Sequence, residues 1–123
     1  MDYREAYEKA LQLLNVRFLS EGELKAKLRR RGVDDDVLKD VVAALEGEHF
    51  LDDQRLARDV YRYYARKGQY GHLYIVNRLR RRCLPVPEDV ERPDEYALAG
   101  NLVKRKFSYR ADEARKAARF LQR

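Results

Sequence analysis

Apolar residues recur along this chain every three or four positions, and nowhere do they alternate in the two-residue rhythm of a strand. Ala6, Ala10, Leu13, Leu14 and Arg17 share one face of a first helix over roughly residues 3–17. The pattern breaks at Phe18-Leu19 and restarts with Ser20-Glu21-Gly22-Glu23, the spacing of a capping box. Leu19 and Leu24 flank that cap as a hydrophobic staple, Leu24 and Leu28 point inward, and Gly32 marks a left-handed stop. A third helix opens at Asp34, stapled by Val33 and Leu38, with Val37, Leu38, Val41, Val42 and Leu45 as its apolar stripe. Short helices joined by such tight turns must fold back into a small bundle.

The scheme then begins again. Asp52 is a cap, Leu51 and Leu56 a staple, and Ala57, Val60, Tyr61, Tyr64 and Ala65 a face over residues 53–67. Gly71 stands where Ser20 stood, Tyr70 and Ile75 staple, and Ile75 and Leu79 take the places of Leu24 and Leu28. A shift of 51 residues relates the two segments, so the chain carries an internal repeat. A partial third copy is expected after Pro93, with Ala99, Val103 and Phe107 on one helix and Ala117 and Leu121 on the next. Pro85, Pro87 and Pro93 confine Leu84–Pro93 to turns and at most one helical turn, because proline cannot occupy a helix interior. The expected fold is all-α: tandem three-helix-bundle repeats in an elongated, curved arrangement, with repeat one at 1–50, repeat two at 51–92 and an incomplete third at 93–123.

Composition narrows the function. With 39% charged and 45% hydrophobic residues the 123-residue chain is too apolar to be disordered. Its uncharged runs are too short to span a bilayer, and its lone cysteine, Cys83, fits a reducing compartment, so a cytoplasmic protein is expected. Charge is segregated: residues 1–53 hold 9 basic and 13 acidic side chains, a balance of −4, while residues 54–123 hold 18 and 8, a balance of +10. Such asymmetry points to an anionic partner for the second half.

Ala10-Leu11-Gln12-Leu13-Leu14, Ser20-Glu21-Gly22-Glu23-Leu24 and Lys27-Leu28-Arg29-Arg30-Arg31-Gly32-Val33 together resemble the first repeat of the RecX family. Phe50-Leu51-Asp52-Asp53 with Leu56-Ala57 matches that family's most distinctive stretch. Gly71, Ile75, Leu79 and Arg80-Arg81-Arg82 carry the resemblance into the second repeat, and Phe120-Leu121-Gln122-Arg123 resembles the signature of the third. His72 stands where the family usually has proline, and Cys83 replaces the glycine matching Gly32, so that helix is expected to end without the usual left-handed residue. The resemblance implies a non-enzymatic regulator that lodges on the RecA–single-stranded DNA filament and inhibits recombinase and co-protease activity in DNA repair and the SOS response.

No catalytic constellation competes with that reading. His49 and His72 lie in different repeats without metal-ligand spacing, Cys83 has no paired base, Asp52 and Asp53 are explained by helix capping, and no phosphate loop occurs. No cofactor, small-molecule substrate or membrane partner is expected, and the protein is expected to be a monomer. What remains is basic. Arg29, Arg30, Arg31 and Arg80, Arg81, Arg82 occupy equivalent helix ends, and Lys104, Arg105 and Lys106 repeat the theme; repeats stacked in similar orientation would line them into a basic track suited to phosphates or to acidic patches on a helical polymer. Arg78 lies among them, and Tyr63 and Tyr74 should face outward, where bases or an apolar patch can stack. A helix-turn-helix transcriptional regulator is the alternative, although recognition helices read bases chiefly from their N-terminal residues rather than from the ends where these arginines lie.

Overall fold

The computed structural model describes residues 1–121, so Gln122 and Arg123 of the expected third-repeat signature lie outside the described residues, as do the side chains of Ala117, Phe120 and Leu121. Six helices follow in order among the described residues: α1 (Tyr3–Val16), α2 (Glu21–Arg30), α3 (Asp35–Gly47), α4 (Asp53–Arg66), α5 (His72–Arg81) and α6 (Glu95–Leu121). Among the described residues there is no strand.

Repeat one is a closed bundle in which α1, α2 and α3 each pack on the other two. Ala6, Ala10, Leu24, Leu28, Leu38, Val41 and Leu45 are fully or almost fully buried, with Leu19, Val33 and Leu51 sealing the ends as the staples require. Each buried leucine is worth about 1.5–3 kcal/mol, so short helices with little intrinsic stability are held by this shared face. Repeat two is built differently. Only α4 and α5 pack together, and the position of a third helix is taken by an irregular strap from Cys83 to Pro93 whose Leu84 and Val90 close over Ala57, Tyr61, Ile75 and Leu79. The three prolines and the short interval leave no room for a helix there. Tyr61, fully buried, satisfies its hydroxyl on His72 Nδ1 at 2.8 Å.

Two expectations are corrected. The third segment is one continuous helix of 27 residues rather than two helices, because Lys104–Arg115 contains no glycine, proline or capping residue strong enough to stop it. Lys104, Arg105 and Lys106 therefore lie inside a helix and not at its end. The second concerns Cys83. It is left-handed after all, at φ 57°, matching Gly32 at φ 86°. Val33 N donates to the Leu28 carbonyl at 3.1 Å and Leu84 N to the Leu79 carbonyl at 2.9 Å, the same Schellman closure in both repeats. That closure, locked by buried Val33 and Leu84, forces the residue between into left-handed space whatever its side chain. For a non-glycine residue the strain is about 1–2 kcal/mol.

Candidate nucleic-acid and partner interface

The repeats meet through polar contacts. Ser20, fully buried, accepts from Glu23 N through its hydroxyl at 3.1 Å while donating that hydroxyl's proton to the Arg82 carbonyl. Glu23 returns the capping box by accepting from Ser20 N at 3.0 Å, and receives the Arg82 guanidinium at 3.1 Å and Arg17 at 2.9 Å. Arg82 also donates to the Phe18 carbonyl at 2.8 Å. Burial pushes the Glu23 carboxyl up, but the Ser20 amide and the two guanidinium groups outweigh it and hold it below the ordinary glutamate value. Asp53, the first residue of α4, caps α2 of the preceding repeat by accepting from Glu21 N at 2.9 Å. At the next junction Glu95, the first residue of α6, accepts from His72 N at 2.8 Å and so caps α5 in the same way.

These joints explain two glycines. A Cβ on Gly71 would lie 2.6 Å from a Glu95 carboxylate oxygen, so a serine there would have to displace the Glu95 side chain that supplies the cap. A Cβ on Gly22 would lie 2.7 Å from the Cβ of Cys83, where the two repeats come into close contact.

On α4 and α5 the structure assembles an aromatic array. Tyr70 and Tyr74 stack nearly parallel, with centroids 4.3 Å apart and 10° between planes. Tyr64 meets Tyr70, Tyr74 and Tyr63 edge-on at 5.6, 6.1 and 5.2 Å. Lys67 lies over the Tyr63 ring at 4.5 Å. Arg78, one turn beyond Tyr74, donates to its hydroxyl from Nε at 3.0 Å and Nη2 at 2.8 Å. The hydroxyl of Tyr63 raises Lys67 above the ordinary lysine value, and that of Tyr74 does the same for Arg78, so both remain cations. Residues 60–87 contain seven lysines and arginines and no aspartate or glutamate. Among the described residues Arg62, Arg66, Lys67, Arg78, Arg80 and Arg81 form no ion pair.

Of the residues singled out by sequence, Tyr63, Tyr74 and Arg78 are brought together, and Arg80 and Arg81 lie exposed at the end of the same helix, α5. Arg82 is not part of an open track, since its guanidinium is spent on the repeat joint. Arg29 is paired with Asp35 at 3.1 Å, while Arg30 and Arg31 are exposed at the end of α2. Lys104, Arg105 and Lys106 are exposed on α6. The helical pattern assigns Tyr64 to the buried face of α4 and Tyr70 to a staple, and both are half-buried against the core; it passes over Lys67 and over the contacts these rings make with Tyr63 and Tyr74. The signal for them is the four-residue spacing of Tyr63 to Lys67 and of Tyr70, Tyr74 and Arg78, together with the acid-free run around them.

Among the described residues no group of three His, Cys, Asp or Glu side chains is placed to hold a metal ion, and no helix is long and apolar enough to cross a membrane. A cleft of about 60 Å³ lies between Phe18, Leu19, Phe50 and Leu56 at the repeat joint, and larger hollows of about 520 Å³ beside Leu11, Leu14 and Phe18 and about 540 Å³ beside Pro85 and Val86 are shallow and open to solvent. The fold and its polar surface thus define a tandem helical-repeat protein with a cationic, tyrosine-rich face.

Residues 6–45 match the first three-helix domain of RecX, and the chain belongs to the RecX family. It is 31% identical to the regulatory protein RecX of Pelodictyon phaeoclathratiforme over 120 residues, covering 91% of this chain and 75% of that protein. It is 30% identical to the regulatory protein RecX of Geobacillus kaustophilus over 130 residues, covering 99% of this chain and 47% of that protein. The RecX of Xanthomonas campestris pv. campestris is 41% identical over 68 residues, or 55% of this chain and 41% of that one. Against the Geobacillus proteins the chain spans about half of their length.

Proposed function

We propose that this chain is a regulatory protein that binds the RecA–single-stranded DNA filament in the cytoplasm as a monomer and inhibits recombinase and co-protease activity in DNA repair and the SOS response. The observation that carries the reading is its RecX membership combined with a run, residues 60–87, that has no acidic residue and six cations besides the Arg82 of the joint. Arg80 and Arg81 at the end of α5 form the centre of the contact, with Arg30 and Arg31 on repeat one and Lys104, Arg105 and Lys106 on α6 extending it. A helix-turn-helix transcription factor is less suited to this geometry, because the open arginines cluster at helix C-termini.

The test is ATP hydrolysis by RecA assembled on single-stranded DNA. The parent is expected to suppress hydrolysis, and R80A/R81A to suppress it more weakly. If four phosphates are neutralised, log affinity falls against log salt with a slope of about −3, and each phosphate left without its cation makes that slope shallower by about 0.7. Unchanged hydrolysis at saturating parent protein would overturn the reading. Inhibition by R80A/R81A equal to the parent would confine the arginines to a solvated face and shift the contact to the acidic first repeat.

A further inference from the structure

We propose that Tyr63, Tyr64, Tyr70 and Tyr74, with Lys67 and Arg78, form a stacking site for the unpaired bases of single-stranded nucleic acid on α4 and α5. The inference deepens the filament reading and rests on it for its biological setting. Its chemistry is independent of any RecA contact.

Tyr64 and Tyr70 are half-buried against the repeat-two core, and they support two rings that stand outside it. Tyr61, one helical turn before Ala65 on the same helix, is 0% exposed and shows how this repeat buries a tyrosine; Tyr63 is 56% exposed and Tyr74 37%. Exposed apolar rings ordinarily stand singly, whereas here two exposed rings and two half-buried ones are organised into one array before any ligand arrives. Tyr70 backs Tyr74 face to face, and Tyr64 props both edge-on, so the exposed Tyr74 ring is held in a fixed plane. A base that takes the place of the Arg78 guanidinium over this ring continues a stack that Tyr70 has already begun. At the other end Lys67 covers one face of Tyr63, which leaves the opposite face for a second base.

The cations fit the same ligand. Arg78 is fixed by two hydrogen bonds to the Tyr74 hydroxyl and lies over the Tyr74 ring at 5.2 Å from its centroid, which puts a charge within reach of the phosphate of a nucleotide stacked there. Arg62 and Arg66 on α4 and Arg80 and Arg81 on α5 add positive charge to the same two helices, Arg62 and Arg66 beside a hollow that they share with Glu91 and Asp94. A protein partner with an apolar knob would need no such cation excess. Duplex DNA offers phosphates but hides its base faces, so this site selects strands whose bases are free.

The experiment uses the full chain without RecA, so that its failure leaves the filament reading standing. Fluorescence anisotropy is measured with labelled dT20, rU20, a 20-nucleotide abasic strand and a 20-base-pair duplex. The parent is expected to bind a base-bearing strand about tenfold more tightly than the abasic strand for each base stacked, and more tightly than the duplex. Tighter binding to dT20 than to rU20 assigns the site to DNA, and the reverse to RNA. The Y63L/Y74L variant should lose the advantage of dT20 over the abasic strand while keeping its helical spectrum and its salt slope. A second variant, Y63W, places a single tryptophan in a chain that has none, at an exposed position that tolerates it. Its emission should be quenched by dT20 and unaffected by the abasic strand. Equal affinity of the parent for dT20 and the abasic strand, or dT20 binding by a folded Y63L/Y74L at parental strength, would overturn the proposal.

Discussion

Replacing Arg82 by alanine removes the centre of the joint between the two repeats. The guanidinium makes a bond of 2.8 Å to the Phe18 carbonyl and a contact of 3.1 Å to Glu23 Oε1, and the Arg82 and Glu23 side chains are only 24% and 14% exposed. An exposed ion pair would contribute about 0–1 kcal/mol, and breaking a fully buried one would cost about 3–5 kcal/mol. This pair lies between those limits, and Glu23 keeps Ser20 N and Arg17 as partners after the change. A destabilisation of about 2 kcal/mol is therefore expected. With a urea dependence near 2 kcal/mol per molar, the unfolding midpoint followed by circular dichroism at 222 nm should fall by about 1 M. R82K should recover less than half of the stability, because an ammonium cannot fork between a carboxylate and a carbonyl as a guanidinium does. R81A, which removes an exposed neighbour, should stay within about 0.5 kcal/mol of the parent. If R82A and R81A unfold at the same midpoint, Arg82 is a surface residue in solution and the joint is held by the apolar contacts alone.

Other consequences follow from the same joints. C83G should raise stability by about 1 kcal/mol by relieving the left-handed strain, and G32A should lower it by about 1–2 kcal/mol, both read from urea midpoints; a lower midpoint for C83G would show that the Cys83 contact with Gly22 outweighs the strain. The joint also sets a pH profile. Glu23 is held below its ordinary value, so its contribution is fully present above about pH 4.5 and disappears as the pH falls through its lowered folded value. Burial raises Asp53, and the nearby Glu21, Asp52 and Glu23 charges add to that, so protonating it on the way down from neutral pH adds stability instead. The parent should thus be most stable in mildly acid solution and lose stability below it. D53N, which keeps an oxygen for Glu21 N while removing the charge, should exceed the parent at pH 7 and lose that advantage near pH 4; a uniform offset at all pH values would contradict the assignment.

The helices, their caps and their buried faces were legible without coordinates because each depends on neighbours three or four residues away. Ser20 with Glu23, Asp52 with Arg55 N, and the inward pairs Leu24 and Leu28, Ile75 and Leu79 all appear where the periodicity places them. Asp34 occupies its expected cap position, although its side chain makes no capping bond. The outward placement of Tyr63 and Tyr74 was legible for the same reason. What escaped depends on long-range contact. Arg82 reads as one of three equivalent arginines until a partner 59 residues away claims it, and Glu95 reads as an ordinary first-turn acid until it is found capping His72. Cys83 reads as a departure from glycine, yet the closure between Leu79 and Leu84 imposes the glycine conformation on it. Local sequence determines which segments become helices and which face each buries. Only the packing of one repeat on the next decides which charges are consumed in the joint and which remain on the surface, because a guanidinium can satisfy a neighbouring repeat or a phosphate but not both with the same donors.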